Sequence, residues 1–300
     1  MSSKIIKMLF VLVVFFLVSY GLSSLLKSEP ILENKIVMIP VQGTIATGTD
    51  LFNQEIADPS LITDFIKQAN EQENVKAIIL EINSPGGTVV ASQEIARAVR
   101  QSKKPVVAYI REVGASGAYW VASASDKIVA EPLSITGSIG VYSGYLEFSG
   151  LFEKYGVTYV DLKSGEYKDT GTPFKELSSD ERKILENKLK IIHSIFISEV
   201  SNNRNIPINV TKQLSTGIYY LGIEAKEFGL VDYLGDEEKA ISVAKELANI
   251  TDASLVRYKQ KSSFFDLFNK LTMSTSYNIG RGIASELDFK AKESYLSIRT

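Results

Sequence analysis

Ser116 is a residue whose type and setting could supply a nucleophile. It lies in the run GASGAYW, residues 114–120, between two glycines. Serines in such runs usually serve in packing or capping, so a chemical role needs further support. The run follows an apolar stretch, KPVVAYI, that is typical of a buried strand, and it opens a predicted helix. The positive end of the helix dipole would then lie near the hydroxyl and favour an oxyanion there.

A second glycine-rich run, NSPGG at residues 83–87, follows another predicted buried strand, VKAIILEIN. The carboxyl ends of parallel strands meet at one edge of a sheet, so the two runs are expected to lie together. The backbone N–H groups of Gly87 and Gly117 are therefore candidate donors to an oxyanion. An ordinary Pro-Gly turn at 83–87 remains an alternative.

A serine nucleophile also needs a proton acceptor. The chain has no cysteine and one histidine, His193, within a segment of helical apolar spacing. These counts argue against a Ser-His-Asp triad, a cysteine nucleophile and a histidine or thiolate metal site. A lysine can act as the base when burial lowers its pKa from ~10.4 towards ~7–8. The residues alone do not say which lysine, and no metal or other cofactor is expected.

The net charge of −2, from 33 basic and 35 acidic residues without a basic stripe, argues against nucleic acid as a partner. The first 27 residues predict a membrane anchor. Met8–Leu26 carries no charge and would span roughly 29 Å as a helix, and Lys4 and Lys7 precede it. This predicts a single-pass protein of the cell membrane, with a cytoplasmic N-terminus and an extracytoplasmic domain. A cleaved signal peptide is the alternative.

The remaining chain predicts an α/β domain with a mainly parallel sheet flanked by helices, because apolar runs alternate with helical patterns. Residues 28–34 are interpreted as a linker, 35–250 as the domain, and 251–300 as a tail for packing or oligomer contact. The predicted strands are NKIVMIPVQG, VKAIILEIN, KPVVAYI, DKIVAEP, GVYSGYLEF and VTYVDL. The predicted helices are PSLITDFIKQANEQ, TVVASQEIARAVRQS, SGAYWVASAS, LFEKYG, residues 178–204, GIEAKEFG and a segment from Asp236.

Five runs in this order resemble the signal peptide peptidase A (SppA) family of the crotonase/Clp-like superfamily. They are residues 83–87, 104–132, 136–141, 163–174 and 217–235. The resemblance covers roughly residues 34–250 and implies a crotonase/Clp-protease-like fold and a serine endopeptidase with a Ser-Lys dyad. It also implies remnant signal peptides and other short hydrophobic or unfolded polypeptides as substrates. Members of the family form homo-oligomers, in which one site can draw its serine and lysine from neighbouring copies.

The resemblance assigns roles to individual residues of this chain. It makes Ser116 the nucleophile and Lys168, in GEYKD, the general base, with Lys163 as a fallback outside the motif. It makes Ser138, in TGSIG, the residue that orients the lysine, and it gives the oxyanion hole to Gly87 and Gly117. The chain departs from the usual Gly-Gly-Tyr-Tyr after the nucleophile, since residues 117–120 read GAYW.

Two other functions remain open at this level. One is a crotonase-like acyl-CoA enzyme, which shares paired oxyanion donors but needs a carboxylate instead of an essential serine. The other is a catalytically inactive membrane scaffold.

Overall fold

The structure, a computed structural model, describes residues 12–19, 33–48 and 56–259. Residues 12–19 are helical and are called α1. The described strands are β1 (Lys35–Gln42), β2 (Thr44–Ile45), β3 (Ile56–Ala57), β4 (Val75–Ser84), β5 (Val106–Ala115), β6 (Lys127–Ala130), β7 (Ile135–Gly137), β8 (Tyr219–Leu221), β9 (Tyr233–Leu234) and β10 (Ser254–Arg257). The other helices are α2 (Pro59–Glu71), α3 (Val89–Arg100), α4 (Gly117–Ser123), α5 (Ser149–Lys154), α6 (Ser179–Arg204), α7 (Ile208–Leu214), α8 (Gly222–Glu227) and α9 (Glu237–Leu247).

Within these residues the central sheet has the strand order β10-β1-β4-β5-β6-β9, and every pair along that path is parallel. Strands β1, β4 and β5 are continuous apolar runs, as expected for strands that are covered on both faces. Strand β5 also pairs through its last residues with β7, which in turn pairs antiparallel with β8. The predicted mainly parallel α/β architecture is confirmed.

Helices cover both faces of the sheet. One face packs its apolar side chains against α2, α3, α4 and α6, and this cluster includes Ile62, Ile95, Trp120 and Phe196. The opposite face packs against α9, whose Val243 joins a smaller cluster. The loops that follow β4 and β5 therefore leave strands that are packed between helices on both faces, and their starting points are fixed by the core.

Two predicted strands are wrong. GVYSGYLEF (140–148) has no regular pairing and instead precedes α5, and VTYVDL (157–162) follows α5 as exposed chain without regular secondary structure. Leu146 is 73% exposed and Leu162 is 97% exposed. Strand propensity depends on packing against neighbouring strands, and these segments have no strand partner among the described residues. The place beside the end of β5 is instead taken by β7.

Several short elements were not predicted, notably β9, β10 and α7. Strand β10 pairs in parallel with β1, with Lys35 opposite Ser254 and Met38 opposite Arg257. The sheet therefore extends past residue 250, where the sequence suggested that the domain ends. Short strands of this kind escape detection because two to four residues show no periodicity.

The predicted anchor, Met8–Leu26, lies mostly outside the described residues. Its described part, α1, is helical with exposed apolar side chains, including Phe15 and Phe16. Among helices in the described ranges, none has the length and apolar character needed to cross a bilayer. The anchor thus stays a prediction from the sequence.

Asp232 joins three elements at the β6–β9 side of the sheet. Its carboxylate accepts hydrogen bonds from the Ile128 N–H at 2.7 Å and from the Arg204 guanidinium at 2.9 Å. Lys127 lies 3.5 Å away. Burial by itself would raise the pKa of Asp232, but Arg204, the Ile128 N–H and Lys127 together lower it below its ordinary value. The ionised carboxylate therefore stabilises the fold.

Replacing Asp232 with Asn should lower the free energy of unfolding by about 2 kcal/mol at pH 7, because the nearly buried Arg204 side chain loses its ionic partner. A lowered pKa means that this stabilisation is present above about pH 4 and is lost as the pH falls through the folded-state value. Denaturant unfolding at pH 7 and near pH 3 should show the difference from wild type shrinking in acid. Asp64→Asn, at an exposed carboxylate on α2, is the matched control, and an equal effect at both sites would contradict this role.

Candidate active site

Ser116 occupies a strained turn between β5 and α4. Strand β5 runs to Ala115, further than the predicted stretch 104–110, so Ser116 directly follows the strand and caps the helix. Its backbone has φ 54° and ψ −124°, a region that non-glycine residues rarely adopt. The Ser116 N–H donates to the Gly137 carbonyl at 2.8 Å, and its carbonyl accepts from the Trp120 N–H at 3.0 Å. Such fixed strain is typical of functional positions and motivates a functional hypothesis here.

The NSPGG run is held against the same turn by Ile45. The Ile45 N–H donates to the Gly86 carbonyl at 2.9 Å, and the Ile45 carbonyl accepts from the Thr88 N–H at 2.8 Å. In this parallel bridge the N–H of Gly87 is directed away from Ile45. A side chain at Gly87 would overlap the Ile45 backbone, which explains why glycine is required.

The two glycine runs touch. A Cβ built on Gly86 would lie 2.6 Å from the Gly117 nitrogen and 3.0 Å from the Ser116 Cβ. A Cβ built on Gly117 would lie 3.2 Å from the Gly87 nitrogen. Neither the Gly87 N–H nor the Gly117 N–H donates to an acceptor within the described residues. Two backbone donors without a described acceptor therefore lie with Ser116 at one cavity, an arrangement that suits an oxyanion hole.

A cavity of about 140 Å³ opens at this turn. Trp120 and Phe196 form one wall, with ring centroids 4.3 Å apart and planes within 5° of parallel. The Trp120 indole N–H donates at 2.8 Å to Glu199, which Arg100 also binds at 2.7 Å. The rest of the lining is mostly small or apolar: Gly87, Val89, Ser92, Ser116, Gly117, Gly140, Val141 and Tyr142.

Ser138 lies beside Ser116 through strand pairing. Gly137, the last residue of β7, is opposite Ala115 of β5, so Ser138 follows the residue that accepts the Ser116 N–H bond. Ser138 also has a positive φ, 49°. Its hydroxyl donates to the Gly217 carbonyl at 3.0 Å, and its N–H donates to the Ile218 carbonyl. The structure thus brings four of the five predicted site residues to one edge of the sheet.

Lys168, the fifth predicted site residue, is not among the residues that line the Ser116 cavity. It sits in a series of turns over residues 165–171, is exposed, and donates its N–H to the Gly165 carbonyl at 3.2 Å. Lys163, the fallback base, is bound to Asp169 at 2.7 Å and lies 3.4 Å from Asp161. The Asp169 hydrogen bond raises the pKa of Lys163, which argues against it as a proton acceptor.

Sequence reasoning missed the walls of the cavity. Phe196 was recognised as part of the apolar face of the long helix, but nothing in its spacing indicated contact with Trp120. Val141 and Tyr142 were assigned to a strand that does not form. His193 lies on α6 and does not line the cavity. No group of three or more His, Asp or Glu side chains in the described ranges is arranged to hold a metal ion.

Comparisons with known proteins bear on the family to which the chain belongs. The profile of peptidase family S49 matches residues 98–251, and that of the NfeD1b N-terminal domain matches residues 35–145. A protein from Methanocaldococcus jannaschii named as a protease is 36% identical over 244 residues, 80% of this chain and 77% of that protein. A protein from Enterococcus faecium named as a signal peptide peptidase, SppA, is 37% identical over 238 residues, 78% of this chain and 69% of that protein. The chloroplastic serine protease SPPA of Arabidopsis thaliana is 33% identical over 214 residues, 70% of this chain and 31% of that protein.

Two solved structures of the 1510-N membrane-bound stomatin-specific protease share the fold. Their TM-scores are 0.51 and 0.52 at 17% and 16% identity, and the matches cover 76% and 81% of this chain and 99% of each solved chain. One of them contains a substrate peptide. The family profile spans half of the chain, and the matches to the Methanocaldococcus jannaschii and Enterococcus faecium relatives, both above 30% identity, cover more than two thirds of each relative. The chain belongs to peptidase family S49 and is a serine protease of that family.

Proposed function

We propose that this protein is a membrane-anchored serine endopeptidase that uses Ser116 as nucleophile and Lys168 as general base. The observation that carries the proposal is the Ser116 turn, whose strained backbone lies beside the free N–H groups of Gly87 and Gly117. A serine with two preorganised donors fits acyl transfer, because the charge of the tetrahedral intermediate develops where those donors converge.

In the proposed cycle, neutral Lys168 accepts the proton of the Ser116 hydroxyl, and the oxygen attacks the scissile carbonyl. The N–H groups of Gly87 and Gly117 bind the oxyanion. Lys168 then protonates the leaving amine as the tetrahedral intermediate collapses to an acyl-enzyme. The Lys168 amine, neutral again, then accepts a proton from water, which attacks the acyl-enzyme; the acid product leaves as Lys168 returns the proton to the Ser116 oxygen. Ser138 orients the lysine by hydrogen bonding once the amine is in place.

Lys168 of one copy completes the Ser116 site of a neighbouring copy in a homo-oligomer. Two observations support this arrangement. First, Lys168 is exposed and does not line the Ser116 cavity of its own chain. Second, the segment between β7 and β8, which carries Lys168, exposes large apolar side chains, with Tyr142 at 92% and Val160 at 75%. Exposed apolar patches of this kind mark surfaces that another protein covers, and a symmetric assembly would cover each of them.

The substrates are proposed to be peptides with an apolar residue at the scissile bond, such as remnant signal peptides and other short hydrophobic or unfolded segments. The cavity of about 140 Å³ is walled by Trp120, Phe196 and Val89. An apolar cavity of roughly 150 Å³ accommodates a benzene-sized group, so a leucine-sized side chain suits this one. The predicted anchor at residues 8–26 would hold the enzyme at the bilayer, with its catalytic domain outside the cytoplasm.

Replacing Ser116 with Ala, or Lys168 with Ala, should lower kcat for an apolar peptide by roughly 1,000-fold or more with little change in KM, because each removes a transition-state function. Release of peptide fragments measures this. The two rival functions give different results. An acyl-CoA enzyme would survive loss of Ser116 and bind CoA thioesters, and an inactive scaffold would show no wild-type activity.

Activity should fall as the pH is lowered from about 8 to about 5, because a protonated Lys168 amine cannot accept the serine proton. The initial rate of peptide cleavage across this range measures the effect. Thermal unfolding at each pH is the control that the fold persists, as expected while the Asp232 carboxylate stays ionised. A rate that climbs steadily from neutral pH to pH 5 would exclude a lysine base.

If the dyad is shared between copies, co-expressing Ser116→Ala with Lys168→Ala should restore activity. Random assembly of equal amounts pairs an intact serine with an intact lysine in about a quarter of the sites. The rate should therefore approach a quarter of the wild-type rate. Co-expression of Ser116→Ala with the double variant is the inactive control. Mixed assemblies that stay inactive would show that both residues act within one chain.

A further inference from the structure

We propose that Asp169 is a positioning residue that fixes the turn from which Lys168 projects, by binding a lysine on each side of that turn. This inference rests on the proposed role of Lys168 as the general base. Asp169 neither touches the proposed reacting atoms nor carries a proton in the cycle.

The contacts of Asp169 close the Lys168 turn from both sides. Lys163 precedes the turn and binds the Asp169 carboxylate at 2.7 Å, and Lys175 follows the turn and binds the same oxygen at 2.7 Å. The Asp169 side chain is 9% exposed, although the turn around it is largely open. One nearly buried carboxylate thus ties three points of an exposed segment together.

Glu181 attaches this cluster to α6. Its carboxylate binds Lys175 at 2.9 Å and accepts hydrogen bonds from the Thr170 hydroxyl and the Ser178 N–H. Glu181 also completes the capping box with Ser178 at the first turn of α6. The turn is therefore connected through Lys175 and Glu181 to the start of a 26-residue helix.

Few other interactions constrain the turn among the described residues. No strand occurs between β7 and β8, so no sheet ladder constrains the chain there. Gly165 and Gly171, which bound the turn, both have positive φ and have open space where a side chain would stand. The remaining bonds near Lys168 are local ones, such as the Thr172 N–H to the Asp169 carbonyl at 3.0 Å. The ionic cluster is thus the main link between this turn and the helix.

The ion pairs of the cluster engage Lys163 and Lys175 and leave Lys168 without an ionic partner among the described residues. Lys163 and Lys175 hold the pKa of Asp169 well below its ordinary value, and Lys175 and the Ser178 N–H lower the pKa of Glu181 to about 2. Asp169 and then Glu181 raise the pKa of Lys175 in turn. The two lysines stay charged and occupied by their carboxylates. Lys168 is the lysine of the described turn, residues 165–171, and it makes no ion pair to a described residue.

The test compares Asp169→Asn with Asp161→Asn in the full-length protein. Both changes remove one carboxylate near Lys163, but Asp161 is 38% exposed and lies outside the Lys175 link. Asp169→Asn should lower kcat by about 10- to 100-fold with KM changed less than about 2-fold, because the base is misplaced while substrate binding is kept. Asp161→Asn should change kcat by less than about 2-fold.

Two further variants separate positioning from a general loss of structure. Asp169→Glu keeps the charge and should recover most of the lost kcat. Lys175→Met removes the link to Glu181 and should lower kcat in the same direction as Asp169→Asn. The rate at which a fluorophosphonate labels Ser116 should fall in parallel with kcat, since it reports activation of the serine without a bound peptide.

An Asp169→Asn enzyme with the kcat of Asp161→Asn would overturn the inference. So would equal losses in Asp169→Asn and Asp169→Glu, since these would reflect altered packing instead of the charge. Lys168→Ala, measured in the same assay, distinguishes failure of the proposed function from failure of the Asp169 inference. If Lys168→Ala keeps wild-type activity, the proposed function fails. If only Lys168→Ala is impaired, the dyad stands and the role of Asp169 is rejected.

Discussion

The contact between two glycine-bearing turns, 84–88 and 114–117, sets the geometry of the site. Strands β4 and β5 are adjacent and parallel, so their carboxyl ends deliver both turns to one edge of the sheet. Backbone approaches backbone there so closely that side chains at residues 86, 87 or 117 would overlap their neighbours. At this contact the N–H groups of Gly87 and Gly117 donate to no acceptor among the residues that the structure describes. The large apolar core beneath these turns supports the strained Ser116 backbone.

The segment between β7 and β8 is held by ion pairs instead of by sheet pairing. It lies outside the sheet, exposes many apolar side chains, and carries the proposed base on a turn held by the Asp169 cluster. A rigid half-site on the core and a second half-site on a projecting segment suit a composite centre, in which assembly brings the base to the serine. Catalysis would then depend on the oligomer, and peptides would be cleaved only where copies meet.

Much of the fold was predictable because its main elements are long and strongly patterned. The buried runs that became β1, β4 and β5, and the helices α2, α3 and α6, were recognised from apolar spacing and turn residues. Strands predicted at 140–148 and 157–162 failed because β-branched and aromatic residues show strand propensity whether or not a partner strand is available. Strands β9 and β10 were missed because they are short and form only through pairing with β6 and β1.

The sequence alone identified the two glycine runs and Ser116 as local patterns, and the family resemblance added Lys168 as the candidate base. Only the tertiary structure decided which of them meet. It joined residue 87 to residue 117 through the pairing of β4 with β5, and it placed Phe196 against Trp120 from a helix about 76 positions away. It also put Lys168 on a separate turn and tied Asp169 to two lysines. The contacts between residues 87 and 117 and between Trp120 and Phe196 join residues far apart in the chain, so no local pattern can encode them.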